Sequence, residues 1–207
     1  MRLEEPLNDV FASASHVRVL RALFGLPLEM GVSGRDLARR AGVSHPRANQ
    51  VLSDLARQGL VIVQRLPRTD LYRANRRHAL AEPLIKLFEL EPKLKVDLLS
   101  VVFKELKRRE LPVTDARMFG SAARGTMTPA SEVDLALVTA AKSVAAVEAA
   151  AQDIAETVWQ RFGTRINVLV GSPSLDSLSK SRRAGQRLWQ TIERDGIDVL
   201  AASKAGG

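Results

Sequence analysis

Asp115-Ala116-Arg117-Met118-Phe119-Gly120-Ser121-Ala122-Ala123-Arg124-Gly125, followed by Ser131-Glu132-Val133-Asp134-Leu135-Ala136-Leu137-Val138, decides how the second half of the chain is read. A strand-like run breaks at Gly-Ser, small residues open a short helix, and a second run begins with two acids one position apart. Side chains alternate across a strand, so Glu132 and Asp134 are expected on one face. Paired carboxylates beside such a turn suit a metal ion and a phosphate, because the acids offer hard oxygen ligands and the turn offers backbone N–H groups.

Outward from this stretch the pattern alternates. Strands are expected at 116–119, 133–138 and 165–170 and in the tail at 197–200, with helices near 121–124, at 144–162 and at 175–193. That is an α/β order. Trp159 and Trp189 fall on apolar helix faces and are expected as core anchors. Gly120 and Gly125 after a strand invite a phosphate-loop reading, but Thr126 stands where that loop needs Lys. Two weaker signals lie further on. Ser177-Leu178-Ser179-Lys180 has the Ser-x-x-Lys spacing without its companion motifs and is expected as helix surface, and Lys180, Arg182 and Arg183 form a basic face of the ordinary solvated kind.

The spacing that does match is Gly120-Ser121, ten residues, then Glu132-Val133-Asp134. It resembles the polymerase-beta-type nucleotidyltransferase superfamily, in particular the minimal nucleotidyltransferases found as antitoxins beside small helical toxins. Gly120, Ser121, Arg124, Gly125, Ser131, Asp134 and Leu135 sit where that family has them, over about residues 95–170. The resemblance implies that Gly120, Ser121, Arg124 and Gly125 cradle a nucleoside triphosphate such as ATP. It also implies that Glu132 and Asp134 hold Mg2+, with a third carboxylate on a later strand. Two positions depart from the pattern. Glu132 stands where the family has Asp, which lengthens the side chain by a methylene. Asn167 stands where the family has the third Asp, and an amide cannot act as a base. The catalytic positions Glu132, Asp134 and Asn167 thus retain one family aspartate, and an impaired or abolished transferase that still binds nucleotide is the expectation.

The front of the chain has a different character. Residues 14–24 place Val17, Leu20 and Phe24 at helical spacing and stop at Gly25. Ser33 caps a helix with Asp36 in its first turn and ends it at Gly42. Ser44 caps the next helix, with Pro46 in its first turn and Ala48, Val51, Leu52 and Leu55 as its buried stripe. Two β-prone runs, 59–65 and 71–75, then form a hairpin across Leu66-Pro67-Arg68-Thr69-Asp70. Two short helices joined at a glycine, followed by a basic hairpin, resemble the winged helix-turn-helix of bacterial transcription regulators over about residues 12–78. The resemblance implies that residues 44–57 enter the major groove of double-stranded DNA with His45, Arg47, Asn49 and Gln50, while Arg65, Arg68 and Arg73 lie on the wing near phosphate.

Charge agrees with this placement. Residues 1–78 hold 13 Arg, no Lys and 7 acids, a net +6 out of the formal +8 of the chain. A positive balance on one segment is the electrostatic footprint of nucleic-acid binding. Cysteine is absent, so disulfides and thiolate metal sites are excluded. His16, His45 and His78 lack metal-ligand spacing. The N-terminus lacks the apolar core of a signal peptide and no run is long enough for a membrane span, so a soluble cytoplasmic protein is expected.

The expected organisation is a mixed α/β (α+β) chain with a winged helix-turn-helix domain at 1–78, a helical connector at 79–111 and a polymerase-beta-like nucleotidyltransferase fold at 112–207. Leu84, Leu87, Phe88, Leu94, Leu98, Val101, Val102 and Leu106 form the connector's apolar stripe, read as core, with dimerisation as the second reading. The expected function is a DNA-binding regulator, possible as an autoregulating antitoxin with a toxin or other protein partner and as a homodimer. The alternative is an active Mg-dependent transferase that places AMP on a protein or small molecule.

Overall fold

The computed structural model describes residues 7–172, 188, 190–192 and 194–202. It divides the chain into two compact units, residues 1–92 and 93–207. The expected helix 175–193, with Trp189, the Ser-x-x-Lys match and the basic residues 180–183, lies largely or wholly outside the described residues.

The first unit begins with α1 (Leu7–Val10), α2 (Ala14–Phe24), the short strand β1 (Val32–Ser33), α3 (Gly34–Ala41) and α4 (His45–Arg57). It continues with β2 (Val61–Arg65), β3 (Asp70–Ala74) and α5 (Ala81–Leu90). Local chemistry sets the boundaries. Ser33 Oγ accepts from the Asp36 N–H at 3.1 Å and donates to Asp36 Oδ2 at 2.8 Å, closing the first turn of α3. Gly42 ends that helix in the left-handed region at φ 62°. Ser44 occupies the cap position of α4, but its side chain makes no capping bond. The three strands form an antiparallel sheet in the order β1-β3-β2. The core gathers Leu20, Leu23, Leu37, Leu52, Leu55 and Leu60, all fully buried. Of the expected stripe of α2, Val17 is only partly buried, while His16 is buried.

The second unit contains α6 (Leu94–Arg108), β4 (Val113–Phe119), α7 (Gly120–Arg124), β5 (Val133–Thr139), α8 (Val144–Phe162), β6 (Ile166–Gly171), β7 (Ile197–Asp198) and α9 (Val199–Ala202). Its sheet runs β6-β5-β4-β7, with β5 and β6 parallel and the other pairs antiparallel. The tail expected as one strand over 197–200 is thus a two-residue strand followed by a helical turn. One sheet face, with Ala116, Met118, Leu135 and Leu137, packs against α6 and α8. The opposite face carries Phe119 and Ala136 against Ile192. With both faces covered, β5 is buried at nearly every position, and its sequence reads as a continuous apolar run rather than an alternation.

The segment 79–111, expected as a connector, is shared between the units. Ala81 and Leu84 of α5 join the first core, and Leu98, Leu99, Val102 and Leu106 of α6 join the second. Leu87 and Leu94 are about half exposed, so the expected apolar stripe is interrupted between positions 87 and 94. Trp159 is 48% exposed and is not the core anchor expected of it. Among the described residues no helix is long and apolar enough to cross a membrane.

Candidate nucleotide site and nucleic-acid interface

In the second unit, the bend from β4 into α7 places Gly120 at φ 71° directly over β5. Phe119 is the register partner of Asp134, and a Cβ on Gly120 would overlap Asp134 Oδ2. Glycine is required there twice, for its backbone conformation and for the space that the carboxylate fills. On the other side, Asp134 is in register with Asn167 of β6, whose Nδ2 donates to Asp134 Oδ1 at 3.2 Å. The turn, the acid and the amide named from the sequence therefore stand side by side on one face of the sheet.

Ser121 and Arg124 lie on α7, and Gly125 terminates it at φ 70°. Ser121's carbonyl accepts from the Thr126 N–H at 3.0 Å, which folds the following loop back. Ser131 closes that loop, its Oγ accepting from the Thr128 N–H at 2.9 Å, so its role here is to shape the turn. Sequence reasoning missed Lys95 of α6, whose Nζ donates to the Ala123 carbonyl at 3.2 Å and brings a cation to the end of α7. No spacing rule links positions 28 residues apart.

Glu132 sits differently from Asp134. It precedes the strand, is exposed, and lines a groove of about 310 Å³ with Ser131, Trp159, Thr164 and Arg165. The Arg165 guanidinium lies 5.9 Å from the Trp159 ring centroid. Among the described residues no group of three or more His, Cys, Asp or Glu could hold a metal ion. Asp134 offers one carboxylate, one of whose oxygens already accepts from an amide, and this is a poor donor set for a two-metal transferase centre.

In the first unit, His45, Asn49 and Gln50 are exposed along α4. Asn49 Nδ2 lies 3.3 Å from His45 Nε2. Arg47 is partly buried, donating from Nη1 to Gln50 Oε1 at 2.8 Å and from Nη2 to Ser13 Oγ at 2.9 Å. Arg65 and Arg68 are exposed on the wing formed by β2 and β3. Arg73 departs from the expectation, since its guanidinium pairs with Glu29 instead of standing open on the wing. A surface pair of this kind contributes about 0–1 kcal/mol.

Arg68, Thr69, Asp70 and Tyr72 of the wing face Arg35, His45 and Asn49 across a cleft of about 500 Å³. Arg35 and Tyr72 are members that the sequence did not single out. Burial, the largest cause, pushes the Tyr72 hydroxyl's pKa up, Asp70 adds to that, and Arg65 opposes it. Arg76 serves the fold: one of its nitrogens donates to the Phe24 and Leu26 carbonyls at 2.9 Å each, satisfying the C-terminal end of α2.

The MarR family matches residues 13–69, and the nucleotidyltransferase domain family matches residues 99–172. No curated protein matches the chain.

Proposed function

We propose, from a chain that joins a MarR-type winged helix to a nucleotidyltransferase domain, that it is a DNA-binding transcription regulator whose transferase site is partly degenerate. One observation carries the reading: the exposed polar face of α4 and the wing arginines flank one open, positively charged cleft in a unit of net positive charge. His45, Asn49 and Gln50 read base edges, and Arg35, Arg47, Arg65 and Arg68 meet phosphates. Arg73 joins them by leaving Glu29. The half-exposed Leu87 and Leu90 of α5 supply an apolar strip suited to a homodimer on a symmetric operator.

The test is retention of the duplex upstream of the chain's own coding sequence across a salt series. Arg68→Ala weakens retention and lowers the slope of log affinity against log salt by about one. A slope unchanged in Arg68→Ala and in Arg47→Ala removes the support for the interface.

A second reading rests on Gly120 and Asp134. Their close approach supports a nucleotide held at the Gly120–Ser121 turn, with Arg124 and Gly125 completing the cradle and Mg2+ arriving as the nucleotide's own counter-ion. On this reading, nucleotide binding modulates the regulator or a protein partner, and an antitoxin role belongs here if a small helical toxin is that partner. Incubation with labelled ATP and magnesium distinguishes sensing from catalysis. Sensing requires saturable binding that Asp134→Ala weakens, with no label transferred. Label on an acceptor that is lost in Asp134→Ala establishes the AMP-transferring enzyme instead.

A further inference from the structure

We infer that Ser13 and His16 form a partly buried hydrogen-bond relay that positions Arg47, and that protonation of His16 releases it. The inference rests on the proposed DNA-binding role of Arg47. It is carried by the bonds converging on one hydroxyl, Ser13 Oγ, at the start of α2.

Ser13 Oγ accepts from Arg47 Nη2 at 2.9 Å and from the His16 backbone N–H at 3.4 Å. A hydroxyl has two acceptor lone pairs and one proton to give. Both lone pairs are taken, so the proton goes to His16 Nδ1, 2.9 Å away. Nδ1 therefore carries the ring's lone pair, and the ring proton sits on Nε2, which faces Asp54 Oδ2 at 3.7 Å. Arg57 closes on the other oxygen of Asp54. With Gln50 holding Nη1, the guanidinium of Arg47 is fixed at two points, and its other N–H groups remain for a phosphate.

A second proton on the ring must go to Nδ1, which would then be a third donor aimed at an oxygen able to accept two. One of the three donors, the His16 backbone N–H, Arg47 or the ring, has to let go. The imidazolium also repels the guanidinium. The charged groups facing the ring are Asp54 and Arg47, both from α4: Asp54 favours the protonated ring, Arg47 disfavours it, and burial disfavours it most. Nδ1 takes the Ser13 proton while Arg47 is held, so acidification sets the ring and Arg47 against each other. No MarR-type spacing announces this arrangement, because Ser13 and Arg47 are 34 residues apart.

Two measurements on the full chain test the relay. In nitrogen-15 NMR spectra, the Arg47 guanidinium protons are expected to be protected from solvent exchange in the native chain and in Ser13→Thr. They are expected to be exposed in Ser13→Ala, and in the native chain once His16 titrates. Equal exchange in native and Ser13→Ala chains, or protection indifferent to His16, overturns the inference whatever the DNA results. The second measurement follows retention of a labelled random-sequence duplex at low salt against pH, in a His45→Gln background so that the exposed histidine does not contribute. Affinity is expected to fall about fivefold, the size of one net hydrogen bond, through the His16 titration. Ser13→Ala is expected to be weak and flat, and Ser13→Thr to restore both affinity and slope. Retention that stays flat while the spectra show release overturns the role in DNA binding. A duplex retained by no version at any pH overturns the DNA-binding reading itself.

Discussion

Gly42 and Gly120 share a backbone conformation and differ in what surrounds them. Both lie in the left-handed region, at φ 62° and 71°. A methyl group on Gly42 meets nothing within 4 Å, whereas one on Gly120 collides with the carboxylate of Asp134. Gly42→Ala is therefore expected to cost only the conformational term, about 1 kcal/mol. Gly120→Ala is expected to cost more and to abolish the proposed nucleotide binding. Denaturant unfolding of the two variants checks this, and a Gly120→Ala no more damaging than Gly42→Ala would show that Asp134 does not pack there. His16 gives the second expectation at this scale. Its pKa is lowered below 6.5 in the folded chain, chiefly by burial, so the unfolded chain binds more protons as the pH falls below that value. Stability accordingly rises with pH through that window and is lost as pH falls through it. Urea unfolding at a series of pH values should show the native chain weakening below about 6.5, and His16→Gln losing much of that slope.

The helices were legible wherever capping chemistry and apolar spacing agreed. Residues 14–24 and 144–162 form the expected helices, and Ser33 makes the bonds its position implies. Ser33→Ala is expected to cost about 1 kcal/mol, seen as a lowered midpoint for the first unit, because an N-terminal N–H of α3 loses its acceptor. Ser44→Ala should cost less, since Ser44's side chain makes no such bond. Periodicity misled at Trp159. In α8 the buried positions are Val147, Ala151, Ile154 and Val158. Trp159 is one residue further and so about 100° round the helix, off the packed face. An apolar side chain at the margin of a stripe has no sequence signal for which side of the boundary it takes. The same ambiguity affects Leu87 and Leu94, apolar by type yet exposed.

At the scale of the molecule, the buried apolar residues among those described fall into one cluster in unit 1–92 and two in unit 93–207, with no described member shared between the units. Separate cores predict separable unfolding. Leu20→Ala and Leu135→Ala each remove a fully buried side chain and are expected to cost about 2–5 kcal/mol. Calorimetry should show Leu20→Ala lowering one transition and Leu135→Ala the other, whereas a shared shift would mean that the units unfold as one. The formal positive charge is also divided more sharply than composition suggests. Arg21, Arg39, Arg57 and Arg73 are paired with acids, and Arg76 is bound to backbone carbonyls. Among the described residues, Arg35, Arg65 and Arg68 are exposed or line the cleft outside these pairs and can be tested singly.

By itself, the sequence determined the order of elements, the glycine turns and the identity of the acid and amide at positions 134 and 167. These depend on local rules: cap chemistry, strand alternation and the backbone freedom of glycine. Only the tertiary structure decided that Asn167 bonds to Asp134, that Glu132 lines a groove with Trp159, and that Arg73 is engaged by Glu29. It also joined Ser13, His16 and Arg47. Hydrogen bonds and ion pairs form between groups that the fold brings within about 3 Å, and proximity between distant positions is a property of the packed chain, with no trace in the spacing of its residues.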